Sequence, residues 1–81
     1  MTREEIFGQL KAIAADTVKV PGGEIREEMR ILDDLGLDSL TIADLIIHTE
    51  QHFGFEFQEE DLQGLGTVGN LLDVIQARTG A

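Results

Sequence analysis

With 81 residues the chain has room for one small domain, and its core must be compact and local. The absence of cysteine excludes both a disulfide framework and a thiolate zinc site. Formal net charge is -10, and residues 27 to 61 hold all of it, with eleven acids against one base, Arg30. Such a field repels phosphate backbones and anionic lipid and favours partners with basic patches.

The first five residues, Met1 to Glu5, carry no apolar h-region, and no apolar run approaches the roughly 18 residues of a membrane span. The expectation is a soluble, cytoplasmic protein forming a single domain over 1–81. Thr2 and Glu5 have capping-box spacing, and Ile6, Leu10, Ile13 and Thr17 follow at helical intervals. Phe7, Ala14 and Val18 widen that stripe, predicting a first helix over residues 3–18.

Pro21-Gly22-Gly23 breaks any continuation, so a long connection begins near Val20. Ile25, Met29, Ile31, Leu32, Leu35 and Leu37 recur through it, which predicts a loop pinned to the core. Asp38 can cap a second helix over residues 39–53, ended by Gly54. Phe55-Glu56-Phe57 reads as a short extended link. Gln58 to Gln63 reads as a brief third helix with its acids near the N-terminus, where the helix dipole favours them.

Gly64 and Gly66 punctuate the chain before Thr67, a cap for the last helix. Val68, Leu71, Leu72, Val74 and Ile75 form its apolar face, and Gly80 suits its exit. The expected fold class is all-α, a small four-helix bundle of three main helices and a short third one.

Within the second helix, Ile42, Leu45, Ile46, Thr49 and Phe53 make one core-facing stripe. Leu40, Ala43 and Ile47 make another, flanked by Asp44 and Glu50. An apolar centre with an acidic rim suits repeated short-lived docking, because rim charges steer encounter. The bland alternative is that Leu40 and Ile47 meet the long loop.

Ser39 opens this helix without a partner base. His48 is nine residues further on, about 13 Å along the axis, too far for a hydrogen bond to Ser39. The Gly-x-Ser-x-Gly elbow is also missing. A helix start does favour negative charge, which suits a serine oxygen that carries a phosphodiester. Ser39 therefore reads as an acceptor rather than a catalyst.

The run Asp33-Asp34-Leu35-Gly36-Leu37-Asp38-Ser39-Leu40 resembles the attachment motif of the acyl carrier protein family. Thr49-Glu50-Gln51-His52-Phe53-Gly54-Phe55-Glu56-Phe57 and Glu59-Glu60-Asp61-Leu62 are similar to its second helix, loop and third helix. Thr67-Val68-Gly69-Asn70-Leu71 resembles the start of its last helix, so the likeness covers nearly the whole chain.

The resemblance implies a non-enzymatic carrier bearing phosphopantetheine, moved from coenzyme A to the Ser39 hydroxyl by a phosphopantetheinyl transferase. The thiol of that arm would hold acyl intermediates as thioesters for a discrete fatty-acid or polyketide synthase. By the same likeness Asp38, Leu40, Asp44, Ile47 and Glu50 would be read by the transferase, ketosynthase, acyltransferase and other synthase enzymes. Many members also shelter the acyl chain among their helices. Thr41 stands where bacterial fatty-acid carriers commonly have an acid, and His48 where they have a small apolar residue. These departures leave the pathway open, with a discrete peptidyl or aminoacyl carrier as a further alternative.

Two rivals come from other classes. His48 and His52, four apart with Glu50 nearby, suggest a metal pair, but no third ligand is clear and no metal is expected. Asp33, Asp34 and Asp38 lack the alternate spacing of a calcium loop. A helical interaction module without a prosthetic group would share the bundle and the acidic helix. The expected state is a monomer, since a transient shuttle must expose its docking face.

Overall fold

The computed structural model describes residues 2–18 and 24–80. It contains α1 (Arg3–Thr17), α2 (Ser39–Phe53), α3 (Glu59–Gln63) and α4 (Val68–Thr79). Among the described residues the only β pairing is an isolated antiparallel bridge between Arg30 and Thr67. The fold is the expected helical bundle. No helix of the described residues is long and apolar enough to cross a membrane.

Local chemistry sets the helix ends. The Glu5 amide donates to the Thr2 hydroxyl at 3.2 Å, and the Thr2 amide donates to the Glu5 carboxylate at 3.0 Å, closing a capping box. The helix ends at Thr17 rather than residue 18, because Val18 is the C-cap. Thr67 caps α4 in the same way with Asn70 as its partner. Gln58, expected as the first residue of the third helix, is instead its N-cap. The predicted break at Pro21-Gly22-Gly23, and Val20 with it, lie outside the described residues.

α1 packs against both α2 and α4. Ile6, Leu72 and Ile75 are wholly buried between them, with Leu10, Ala14, Leu45, Val68 and Leu71 nearly so. Each buried valine, leucine or isoleucine among them contributes roughly 1.5–3 kcal/mol relative to exposure. Thr49 is the buried polar member; its hydroxyl donates to the Leu45 carbonyl at 2.7 Å, so nothing is left unpaired.

The connection before α2 is pinned as expected through Ile25, Ile31 and Leu37, all buried, with Met29 and Leu35 packed against the core. Backbone bonds do the rest. Ile31 N–H donates to Gly66 carbonyl at 3.0 Å, Val68 N–H to Met29 at 2.9 Å and Gly69 N–H to Glu27 at 2.8 Å. Leu32 departs from the expectation: it is 58% exposed, because the turn that buries Ile31 points its neighbour outward.

Candidate functional site

Asp38 and Ser39 are delivered by a short turn. Gly36 takes a φ of 68°, a left-handed conformation that disfavours side chains, and the reversal lets Leu37 go into the core while Asp38 stays outside. Asp38 is then the N-cap of α2 and Ser39 its first helical residue.

The Asp38 carboxylate is held by one residue. Its Oδ1 accepts the Thr41 hydroxyl at 2.7 Å and the Thr41 amide at 2.8 Å. These bonds, the hydroxyl first and the amide second, hold the carboxyl below its ordinary range. Thr41 thus anchors the capping acid beside Ser39, a role visible in the sequence only as the threonine three residues after a cap.

Ser39 is exposed and lines a cleft of about 360 Å³. Ile31, Leu45 and Leu71, all buried, form its floor; Ile42 and Ile46 of α2 form one wall, and Leu62 and Leu65 face them. Ile46, expected in the core stripe, instead faces this cleft half-buried. Leu32 and Leu62 stand at the rim, 58% and 41% exposed. The resemblance implies a shelter among the helices, but the residues that line it are not legible in the sequence, because the cleft exists only once α3 is set opposite α2. The α3 wall is tied to α4 by Arg78, whose guanidinium donates to Asp61 Oδ2.

On the outer face of α2, Leu40 is 80% and Ile47 48% exposed, with Ala43 and Asp44 exposed as well. Leu40 therefore does not meet the long loop, which removes the bland reading for that residue. Glu50 is half-buried, and its Oε2 accepts the Phe57 amide at 2.6 Å. It fastens the link after α2, in which Phe55 and Phe57 pack on each other and on the core. Gly54, at φ 75°, makes the left-handed exit that brings this link back.

The two histidines are far from this arrangement in role. His48 Nδ1 bonds the Asp44 carbonyl at 2.8 Å, and His52 Nε2 bonds Gln9 Oε1 at 2.7 Å. Among the described residues no three of His, Cys, Asp and Glu gather in a way that could hold a metal ion.

The family model for the phosphopantetheine attachment site matches residues 8–75. An acyl carrier protein from Coprothermobacter proteolyticus is 48% identical over 95% of this chain and 94% of its own. The acyl carrier protein structure from Enterococcus faecalis superposes with a TM-score of 0.76 at 29% identity, covering 96% of this chain and 99% of that one. A putative acyl carrier protein from Mycobacterium tuberculosis gives 0.82 at 25% identity, over 89% and 96%. A match that spans the capped serine, the acidic second helix and the short third helix together leaves one conclusion: this chain belongs to the acyl carrier proteins, the carriers that bear phosphopantetheine.

Proposed function

We propose that Ser39 Oγ is the attachment atom and that the chain, acting as one carrier domain over 1–81, is a cytoplasmic shuttle rather than a catalyst. The observation that carries this reading is position: an exposed serine at the first turn of α2, beside its cap and at the mouth of an apolar cleft. The arm supplies a terminal thiol for thioesters, which this chain lacks because it has no cysteine.

The surroundings fit a phosphodiester there. Among the described residues no side-chain hydrogen bond holds the Ser39 hydroxyl, and the α2 dipole favours negative charge at this end. Asp38 already occupies the Thr41 amide, so the phosphate would be favoured by the dipole and by solvent rather than by that donor.

Recognition falls to Asp38, Leu40, Asp44 and Ile47, which share the exposed side of the serine helix. Glu50 adds charge at the far end while its carboxylate fastens the Phe57 link. The partners are a phosphopantetheinyl transferase, ketosynthase, acyltransferase and further synthase enzymes with basic patches, docking on a monomer.

Intact mass before and after incubation with coenzyme A and a broad-specificity phosphopantetheinyl transferase tests the proposal. One added phosphopantetheine, mapped by fragmentation to Ser39 and lost in Ser39→Ala, is the expected result. Retention of the arm by Ser39→Ala would overturn the assignment of the atom. No addition to folded, initially unmodified protein would overturn the carrier reading and favour an interaction module.

A further inference from the structure

Resting on the carrier reading, we propose that the groove between α1 and α2 is an arginine pocket. It takes one guanidinium of the phosphopantetheinyl transferase that modifies Ser39, on a flank of α2 beyond the exposed stripe of Leu40 and Ile47.

The groove, of about 480 Å³, is lined by Ile13, Asp16 and Thr17 from the end of α1 and by His48, Gln51 and His52 from α2. It opens on the flank of α2 that meets α1, whereas the cleft beside Ser39 opens toward Leu62 of α3. Asp16, His48, Gln51 and His52 are exposed, and Ile13 and Thr17 half-buried. Among the described residues no lysine or arginine lines the groove, so the Asp16 carboxylate stands in it without a cation.

The tautomer of His48 adds a second acceptor. A carbonyl oxygen only accepts, so His48 Nδ1, which lies 2.8 Å from the Asp44 carbonyl, carries the proton of the neutral ring, and Nε2 keeps its lone pair. Among the described residues nothing donates to that nitrogen. His52 is a fixed wall: its Nε2 donates to Gln9 Oε1 at 2.7 Å, and its ring meets Phe53 edge-on at 4.8 Å.

The groove thus offers a carboxylate and a ring acceptor beside the apolar side chain of Ile13. A guanidinium has donors enough in one rigid plane to serve both acceptors, and its apolar stem can cover Ile13; an ammonium on a flexible stem matches this less well. An anionic occupant would be repelled by Asp16, and an apolar one would strip water from that carboxylate without replacing it.

Position argues for the transferase. Gln51 lines this groove and also, with Ile47 and Glu50, the hollow at the far end of the exposed stripe, so the two surfaces are continuous. The transferase meets the carrier before any arm or acyl chain is present, so its grip comes from the protein surface alone. His48 lies about 13 Å along the helix axis from Ser39, which lets an arginine anchor there without touching the reacting hydroxyl.

Two measurements test the proposal. In the first, N-acetyl-arginine methylamide is titrated into the unmodified protein and followed by NMR, with the citrulline analogue as an uncharged control of the same shape. The arginine probe should shift the Ile13, His48 and Gln51 signals saturably and the citrulline probe should not, and Asp16→Asn should weaken the arginine probe about 2- to 5-fold. In the second, the cognate transferase is assayed with each variant. Asp16→Asn and His48→Phe should raise KM for the carrier about 2- to 5-fold with kcat unchanged, the mark of lost binding away from the reacting atoms. His48→Gln, which keeps an acceptor near the place of Nε2, should stay near the parent. Gln51→Glu, which adds a charge to the groove, should lower KM and decides the matter if a loss variant proves unstable.

Probe shifts spread over the acids of residues 27–61, with the groove signals no larger than the rest, would overturn the inference. So would a parental KM in Asp16→Asn and His48→Phe, or a His48→Gln protein as weak as His48→Phe. These outcomes leave modification of Ser39 intact and defeat the inference alone. A parent protein that the transferase never modifies defeats the carrier reading, and the partner assigned to the groove falls with it.

Discussion

Arg3 and Glu27, twenty-four residues apart, are joined by two hydrogen bonds to one carboxylate oxygen, from Nε at 3.0 Å and Nη2 at 2.7 Å. The same guanidinium donates to Asp73 at 2.8 Å, to Gln76 Oε1 and to the Gly69 carbonyl at 3.3 Å. One side chain at the start of α1 thus holds the loop before α2 and the first three turns of α4. It stabilises the frame that presents Ser39 without touching the serine.

Arg3→Ala should lower stability by about 1–2 kcal/mol, more than one exposed pair contributes, because several partners lose their donor together. Arg3→Lys should recover only part, since an ammonium cannot reproduce the fork. Urea unfolding of both variants, with a Glu27→Ala double-mutant cycle, checks this. The rate of Ser39 modification at 25 °C should stay at the parent value, so a large fall there would point to Arg3 in partner choice instead.

Two glycines inside helices should respond in opposite directions. Gly8 in α1 has open space where a Cβ would go, so Gly8→Ala should stabilise by about 0.5–1 kcal/mol. At Gly69 in α4 a Cβ would lie 3.3 Å from the Glu27 carbonyl oxygen, which accepts the Gly69 amide at 2.8 Å. Relieving that contact stretches the bond that pins the loop. Gly69→Ala should therefore leave the protein less stable than the parent, and equal gains at both positions in a urea titration would refute the close approach.

Acid should act through the cap beside the serine. The Thr41 hydroxyl, then its amide, lowers the Asp38 carboxyl, so its folded-state pKa lies below its unfolded one. A depressed carboxyl contributes stability that is complete above the unfolded value and lost as pH falls through the folded value. The loss therefore begins only below about pH 4. Asn is as good a cap but does not titrate, so Asp38→Asn should unfold in urea near the parent midpoint at neutral pH. Its midpoint should fall less than the parent's on moving below pH 4; identical acid limbs would mean the Thr41 contacts do not bias the carboxyl.

How much of this could be read from the sequence follows the reach of each interaction. The bounds of α2 were legible because they are local: Asp38 caps a residue three away, and Gly54 supplies its own left-handed exit. The exposed face of Leu40 and Ile47 followed from helical period alone. Glu50 read as a rim charge, but its bond to Phe57 depends on how the chain folds back after Gly54. Leu32 read as a core anchor, since the apolar pattern of an irregular loop carries no period to say which residue points inward. The cleft and the Arg3 ties join segments whose spatial order no local pattern encodes.

Salt should move folding and docking in opposite directions, because the same charges oppose one and assist the other. Eleven acids and one base crowd residues 27–61, and repulsion among them weakens the compact state. Screening relieves it, so the urea midpoint should rise as sodium chloride goes from about 50 mM to about 500 mM, where the Debye length falls well below 10 Å. Association with a basic partner enzyme should slow over the same range, since rim charges act mainly on encounter. Leu40→Ala separates the apolar contribution: a side chain 80% exposed adds little to folding, so stability should change by no more than about 0.5 kcal/mol. Its loss should instead speed dissociation from the partner with the salt slope unchanged. Stopped-flow association and dissociation rates for both proteins decide this, and a Leu40→Ala protein with parental dissociation would show that the exposed stripe on α2 is not what partners hold.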